Sequence, residues 1–186
     1  KLAVTSDEGC KDSITKTLQI YELPTVNFTF NNVCDNESMS FSNSTLGAAN
    51  YLWMFGDGTT STIASPNHTY SSGGNYTVTL IATTANGCKD SIEKTVTVYP
   101  LPVPSFASTT ECLTDTTKFT NNSTGATSYA WNFGDGTSSN LNVPSHLYGK
   151  AGTYNVSLNA TSTNGCKDTV INQVVVNALP IVSFNI

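Results

Sequence analysis

The residues whose types and spacing could do chemistry are few. Asp57 and Asp135 each sit inside Gly-Asp-Gly, His68 and His146 are the only histidines, and five cysteines stand at positions 10, 34, 88, 112 and 166. A Gly-Asp-Gly loop can cradle a phosphate, offer a carboxylate to a metal, or present a catalytic acid. A histidine further along each repeat could act as a base. The cysteines could hold a metal or pair as disulfides. Each possibility makes a demand that can be checked. A nucleotide cradle needs Gly-x-Gly-x-x-Gly at the opening of a helix, and neither loop has it. A hydrolase needs nucleophile and base converging in one cleft. Here each His recurs at the same offset in a short repeated unit, and duplicated active sites in so small a unit are improbable. The reading left for His68 and His146 is a partly buried ring that hydrogen-bonds the Gly-Asp-Gly turn or a nearby backbone group. Neither set of cysteines has the Cys-x-x-Cys spacing of a metal site.

These residues are positioned by a repeat. Residues 25–102 laid over 103–180 without a gap agree at 32 of 78 positions, and the agreement is patterned rather than scattered. Phe28/Phe106, Phe41/Phe119, Trp53/Trp131, Phe55/Phe133, Tyr76/Tyr154, Val78/Val156 and Leu80/Leu158 are core-type pairs. Gly-Asp-Gly, Pro66, Gly74 and Asn86-Gly87 recur as turn residues. GCKDSITKTLQIYELP (9–24) mirrors GCKDSIEKTVTVYPLP (87–102), and IVSFNI (181–186) opens a third copy. The expected organisation is the tail of one repeat (1–24), two whole repeats (25–102 and 103–180) and the start of another (181–186), as in a window on a longer array.

Within each repeat the apolar period is two. YTVTLIATT (76–84) and YNVSLNATS (154–162) alternate apolar residues with Thr or Ser, and no 3.6-residue pattern competes. Turn signals fall every 8–12 residues. About seven short strands per repeat indicate an all-β chain of tandem immunoglobulin-like antiparallel sandwiches, with the Trp where such folds bury one. Trp53 and Phe55, like Trp131 and Phe133, lie on one face of a strand. Gly56-Asp57-Gly58 then makes the hairpin turn, with Asp57 and Asp135 accepting backbone N–H bonds inside it. Tyr76 and Tyr154 stand where a tyrosine corner pins the turn before the sixth strand.

Composition narrows the setting. Charged residues are only 11% of the chain and hydrophobic residues 38%. The balance is largely Thr, Ser and Asn, which suit strands and turns. All eight cations are lysines, at a net charge of −5. Without arginine the chain lacks the bidentate fork for phosphates and base edges, which argues against a nucleic-acid partner. No apolar run approaches the roughly 20 residues of a spanning helix.

The motif W-x-F-G-D-G, followed by P-x-H-x-Y and G-x-Y-x-V in both whole repeats, resembles the PKD (polycystic kidney disease) domain. The cysteine ahead of the second strand and N-G-C-K-D after the sixth resemble PKD arrays of Bacteroidota surface proteins, among them the gliding-motility adhesins exported by the type IX system. Asp57 and Asp135 are the calcium candidates of these turns, but the PKD-like domains that bind calcium use an Asp between the Trp and Phe of this motif. At the intervening position stand Met54 and Asn132. Met54 offers no hard oxygen, and calcium requires one, so no cofactor or metal is expected. Asp12-Ser13-Ile14, Asp90-Ser91-Ile92 and Asp168-Thr169-Val170 resemble the Asp-Ser/Thr-aliphatic O-glycosylation site of Bacteroidota exported proteins. That makes Ser13, Ser91 and Thr169 glycan candidates, the other reading being a hydrophilic turn entering the last strand.

Paired cysteines in a Thr-rich chain imply an oxidising, extracellular setting. Cys34 and Cys112 fall near the turn from first to second strand; Cys10, Cys88 and Cys166 fall near the turn from sixth to seventh. Those turns lie at opposite ends of a sandwich whose last strand spans roughly 30 Å, whereas disulfide Cα atoms must approach within about 7 Å. Head-to-tail stacking would bring Cys34 beside Cys166 and leave Cys10, Cys88 and Cys112 for neighbours. The intra-repeat pairs Cys34–Cys88 and Cys112–Cys166 stay open.

Two functions follow. The first is a non-catalytic stalk or filament segment of a repetitive cell-surface adhesin, whose immediate partners are neighbouring repeats of its own chain. The second is a set of accessory modules of a secreted hydrolase, chitinase or protease, that bind a surface or a polysaccharide.

Overall fold

A computed structural model describes residues 1–183; residues 184–186, which complete the expected opening of a following repeat, lie outside the described residues. Every regular element among the described residues is a strand. β1 (Leu2–Thr5) and β2 (Lys11–Ile14) form a two-stranded sheet. They are followed by β3 (Phe28–Phe30), β4 (Val33–Cys34), β5 (Ser38–Asn43), β6 (Asn50–Met54), β7 (Thr60–Ser61), β8 (Asn67–Thr69), β9 (Gly74–Thr83) and β10 (Lys89–Tyr99). The series then repeats as β11 (Phe106–Ser108), β12 (Glu111–Cys112), β13 (Thr117–Asn121), β14 (Ser128–Asn132), β15 (Ser138–Ser139), β16 (Ser145–His146), β17 (Gly152–Thr161) and β18 (Lys167–Asn177).

The second series is an immunoglobulin-like sandwich of a five-stranded sheet, ordered β12-β18-β17-β14-β15, and a three-stranded sheet, ordered β11-β13-β16. Alternation writes the inner face. Val156, Leu158 and Ala160 of β17 are buried between polar neighbours, and Val174 and Val176 of β18 are buried on the same alternation. These valines and Leu158 meet Phe106, Phe119, Trp131, Phe133 and Tyr148 in one core. The rings of Phe106 and Phe119 lie 5.1 and 5.3 Å from that of Trp131, inside the range of favourable aromatic pairing. Burying each large side chain contributes about 1.5–3 kcal/mol.

One pair departs from the antiparallel pattern. β12 runs parallel to β18 through Glu111↔Val176 and Cys112↔Asn177. The chain leaves β11 in the three-stranded sheet and joins the edge of the other after Thr109 and Thr110, which carries Cys112 to the end of the last strand. The first series has the same strand orders, β4-β10-β9-β6-β7 and β3-β5-β8, and the same parallel pair, with Tyr99↔Cys34 in register.

Grouped by contacts, the chain forms two compact units, and the division runs through the first repeat. One unit comprises Lys1–Thr29, Phe41–Pro66 and Val78–Lys94; the other comprises Phe30–Ser40, Asn67–Thr77 and the chain from Thr95 onward. In the former, Trp53 is 0% exposed and packs between Phe28 and Phe41, with ring centroids at 5.0 and 5.5 Å. The latter contains the whole second sandwich together with the β5–β8 pairing of Met39 to His68.

The N-terminal segment reproduces one piece of this plan. β1 pairs with β2 from Leu2↔Ile14 to Thr5↔Lys11. This is the Leu158↔Val170 to Thr161↔Lys167 register of β17 and β18, displaced by two repeat lengths. Leu158 and Ala160 are 0% exposed, whereas Leu2 and Val4, at the corresponding places, are 65% and 58% exposed.

Candidate functional site

Two constellations gather the residues that the sequence brings forward. The first is the Gly-Asp-Gly hairpin. Between β14 and β15 the chain reverses through Gly134 (φ 82) and Gly136 (φ 93), with Phe133 N–H bonded to Thr137 O at 3.1 Å. A side chain on Gly134 would meet Asn155 O at 2.7 Å, so both conformation and space demand glycine there. Asp135 Oδ1 accepts Thr137 N–H at 3.0 Å and Thr137 Oγ1–H at 2.6 Å, while Oδ2 lies 2.6 Å from His146 Nε2. A carboxylate only accepts, so the imidazole donates from Nε2. The His146 ring stacks flat on Phe133, 4.2 Å between centroids and 3° between planes, and meets Tyr148 edge-on at 4.5 Å.

Partial burial pushes the Asp135 carboxyl up, but the Thr137 hydroxyl, His146 and the Thr137 N–H outweigh it and hold its pKa at about 2. Tyr148 donates to Phe133 O at 3.1 Å, and burial, the Asp135 charge and Tyr154 push its phenol up to about 12. Thr137, the hydroxyl beside His146, already donates to Asp135. What these atoms form is a lock on a turn, with the hydroxyl that the histidine could activate committed to the carboxylate.

The first repeat follows the same lines. Asp57 Oδ1 accepts Thr59 N–H at 3.0 Å and Thr59 Oγ1–H at 2.6 Å. His68 packs edge-on against Tyr70 at 4.6 Å, and Tyr70 stacks on Tyr76 at 4.1 Å. Tyr76 and Tyr154 each donate to the carbonyl four residues upstream, Ser72 O and Lys150 O, at 2.8 Å. Trp53 and Trp131, both buried, donate Nε1–H to Ile63 O and Leu141 O at 2.9 Å. Phe55 and Phe133 are 2% exposed.

At the position between Trp131 and Phe133, Asn132 Oδ1 already accepts Gly134 N–H at 2.9 Å. Among the described residues no three His, Cys, Asp or Glu side chains gather as a metal site. Ser13, Ser91 and Thr169 are exposed, each with its N–H bonded to the carboxylate of the preceding Asp at 2.7–2.8 Å. Thr59, Thr137, Tyr70 and Tyr148 are the structural partners that the sequence reading passed over. Their signal was present, since each recurs at a fixed distance from Gly-Asp-Gly.

The second constellation is the cysteines. Cys34 and Cys166 form a disulfide, with Cα atoms 5.7 Å apart across a sequence separation of 132. Cys34 closes β4, and Cys166 follows a turn in which Gly165 has φ 84. Cys166 is 1% exposed. Cys10, Cys88 and Cys112 are free thiols, so neither Cys34–Cys88 nor Cys112–Cys166 is formed.

Known proteins share these motifs. The PKD domain family matches residues 21–99 and 101–176. Collagenase ColA of Bacillus cereus is 55% identical over 53 residues, 28% of this chain and 5% of that protein. A microbial collagenase of Vibrio alginolyticus is 44% identical over 52 residues, 28% of this chain and 6% of that protein. The chain therefore spans about a twentieth of the length of these relatives. The crystal structure of the PKD1 domain from Vibrio cholerae metalloprotease PrtV shares 32% identity over 42% of this chain and 99% of that one, with a TM-score of 0.39. Since the family match covers most of the chain in two successive segments, this protein belongs to the PKD domain family.

Proposed function

We propose that this chain is a load-bearing, extracellular spacer: a stalk or filament segment of a large cell-surface adhesin, of the kind that serves gliding motility after type IX export. PKD domains are non-catalytic binding or structural modules, and the repeats proposed at 25–102 and 103–180 would act here as structure. The observation that carries the reading is the Cys34–Cys166 disulfide. A force entering upstream of Cys34 and leaving downstream of Cys166 passes through one sulfur–sulfur bond. The 132-residue separation between them then carries no tension, and most of both repeats is shielded. The closed loop also lowers the entropy of the unfolded chain, which the loop-closure relation puts at about 5 kcal/mol.

Single-molecule extension between the chain termini tests this. Without reductant the loop should stay closed at all forces that leave the disulfide intact. With reductant, rupture should release an additional contour length of about 450 Å, from roughly 3.4 Å per residue. Equal contour lengths with and without reductant would refute the shielding. A second reading has its own support: the relatives named above are collagenases. On that reading the pair is an accessory module of a secreted hydrolase that contacts a surface or a polysaccharide. Binding to collagen or to insoluble polysaccharide by the reduced and oxidised chain alike would favour it.

A further inference from the structure

Among the described residues, three copies of one turn present a cysteine, and one of the three is bonded. In each, the first residue's N–H bonds to the cysteine carbonyl (Ser6 to Cys10 at 2.8 Å, Thr84 to Cys88 at 2.9 Å, Ser162 to Cys166 at 2.8 Å), and the glycine N–H returns to the first residue's carbonyl at 2.9–3.0 Å. The hydroxyl of Ser6, Thr84 or Ser162 accepts the cysteine N–H at 3.1–3.2 Å. Facing this donor turn in the bonded case is a strand-end acceptor. Cys34 pairs in parallel with Tyr99, Asp35 N–H bonds to Tyr99 O at 2.8 Å, and Glu37 N–H bonds to Cys34 O at 3.0 Å. Cys166 Sγ lies 3.9 Å from that same Tyr99 carbonyl.

The acceptor is built a second time at Cys112. It pairs in parallel with Asn177, Leu113 N–H bonds to Asn177 O at 2.8 Å, and Asp115 N–H bonds to Cys112 O at 3.0 Å. The residue two past each acceptor cysteine has positive φ, Asn36 at 63 and Thr114 at 88. The Cys34 acceptor carries a turn cysteine; the Cys112 thiol is free and exposed.

We propose that Cys112 is an interaction site for the Gly-Cys turn of a further PKD repeat, presented by a second copy of this chain through Cys88 or Cys10. This rests on the stapled-spacer reading and names its partner. The second observation beyond the free thiol is the bond already made by the equivalent pair. The link is directional: a strand-end cysteine joins a turn cysteine, never its own kind. Such head-to-tail contacts generate open chains where the rotation between copies does not close a ring. The chemistry is thiol–disulfide exchange with a small-molecule disulfide as oxidant. The Cys112 thiolate attacks that disulfide, giving a mixed disulfide and one small thiol. The turn cysteine's thiolate then displaces the second small thiol, forming the protein disulfide. Two protein thiols become one disulfide, and one small disulfide becomes two small thiols, the protons of the protein thiols passing through water to the departing small thiolates.

The test incubates the chain, with Cys34–Cys166 intact, at high concentration in a glutathione redox buffer, and maps linkages by non-reducing peptide mass spectrometry. Expected are intermolecular Cys112–Cys88 or Cys112–Cys10 peptides in a ladder of oligomers, which Cys112→Ser reduces at least tenfold. Cys112–Cys112 or Cys88–Cys88 as the main product, or the same ladder from Cys112→Ser, would overturn the proposal, as would a chain that stays monomeric. Each of those outcomes leaves the spacer reading standing so long as Cys34–Cys166 is recovered. Absence of the Cys34–Cys166 peptide in the starting protein would sink that reading instead.

Discussion

Replacing Asp135 with asparagine removes a charge while keeping an oxygen where Thr137 N–H needs one, so it isolates the electrostatic part of the turn lock. The carboxylate is held at about 2 against an ordinary 3.8. The difference corresponds to about 2 kcal/mol by linkage. Asp135 and His146 keep 18% and 15% side-chain exposure, and solvent screening lowers the figure to about 1–2 kcal/mol. The sign follows from the direction of the shift. A depressed acid stabilises the fold fully above its unfolded value, near 4, and loses that contribution as the pH falls through about 2. Asp135→Asn should therefore destabilise the second repeat by about 1–2 kcal/mol at pH 7, and by only a small fraction of that at pH 2. Urea titrations followed by NMR suit the measurement, because the Trp131 indole N–H, bonded to Leu141 O, reports the second repeat separately from Trp53. A cost that stays constant from pH 7 to pH 2 would refute the electrostatic account, and a neutral substitution at pH 7 would refute the lock itself.

Trp53→Ala and Trp131→Ala should each destabilise their own repeat by about 3–5 kcal/mol, the usual consequence of deleting a buried large aromatic; retention of both melting transitions within a degree of wild type would contradict the core described above. Gly134 and Gly136 form a matched pair, both at positive φ, but only Gly134 has backbone within 2.7 Å of a built Cβ, whereas Gly136 has nothing within 4 Å. Gly136→Ala should cost about 1 kcal/mol and Gly134→Ala about 2–3 kcal/mol, read from urea midpoints, and equal costs would show that Asn155 yields freely.

Most of the fold is legible in the chain because one constant offset superimposes cores on cores and turns on turns, and period-two alternation then identifies the long strands. Two-residue strands such as β12 and β15 carry no period to read, and this is why the parallel partner of β18 cannot be extracted from the sequence. The Gly-Asp-Gly turn is legible for a related reason: glycines flanking an aspartate after an apolar strand leave few backbone alternatives. The histidine that bonds it is legible as a residue, from its constant offset in both repeats, but not the geometry that brings it there. His146 stands on another strand from the turn that holds Asp135, and only the register Thr117↔His146 brings its ring over Phe133. The cysteines lie at the far limit of legibility. Spacing alone separates them into two classes; the pairing follows only when strand length is set against disulfide reach, which favours Cys34–Cys166 over the intra-repeat pairs, and that is the bond formed.

The parallel strand connects the two constellations. In each repeat it moves a cysteine from the three-stranded sheet to the end of the last strand, beside Tyr99 or Asn177. A cysteine placed there sits where the chain leaves the sandwich, which on the spacer reading is the point at which a pulling force is applied. The Gly-Asp-Gly hairpin serves the opposite need, since its hydrogen bonds hold β14 and β15 in a sheet edge away from the disulfide. On the spacer reading, local locks made of an aspartate, a threonine and a histidine would suffice where the backbone carries no load, and a covalent bond would stand where it does. The catalytic-looking residues are hydrogen-bonded to one another, while the thiols of Cys10 and Cys112 are exposed to solvent, open to the link proposed above.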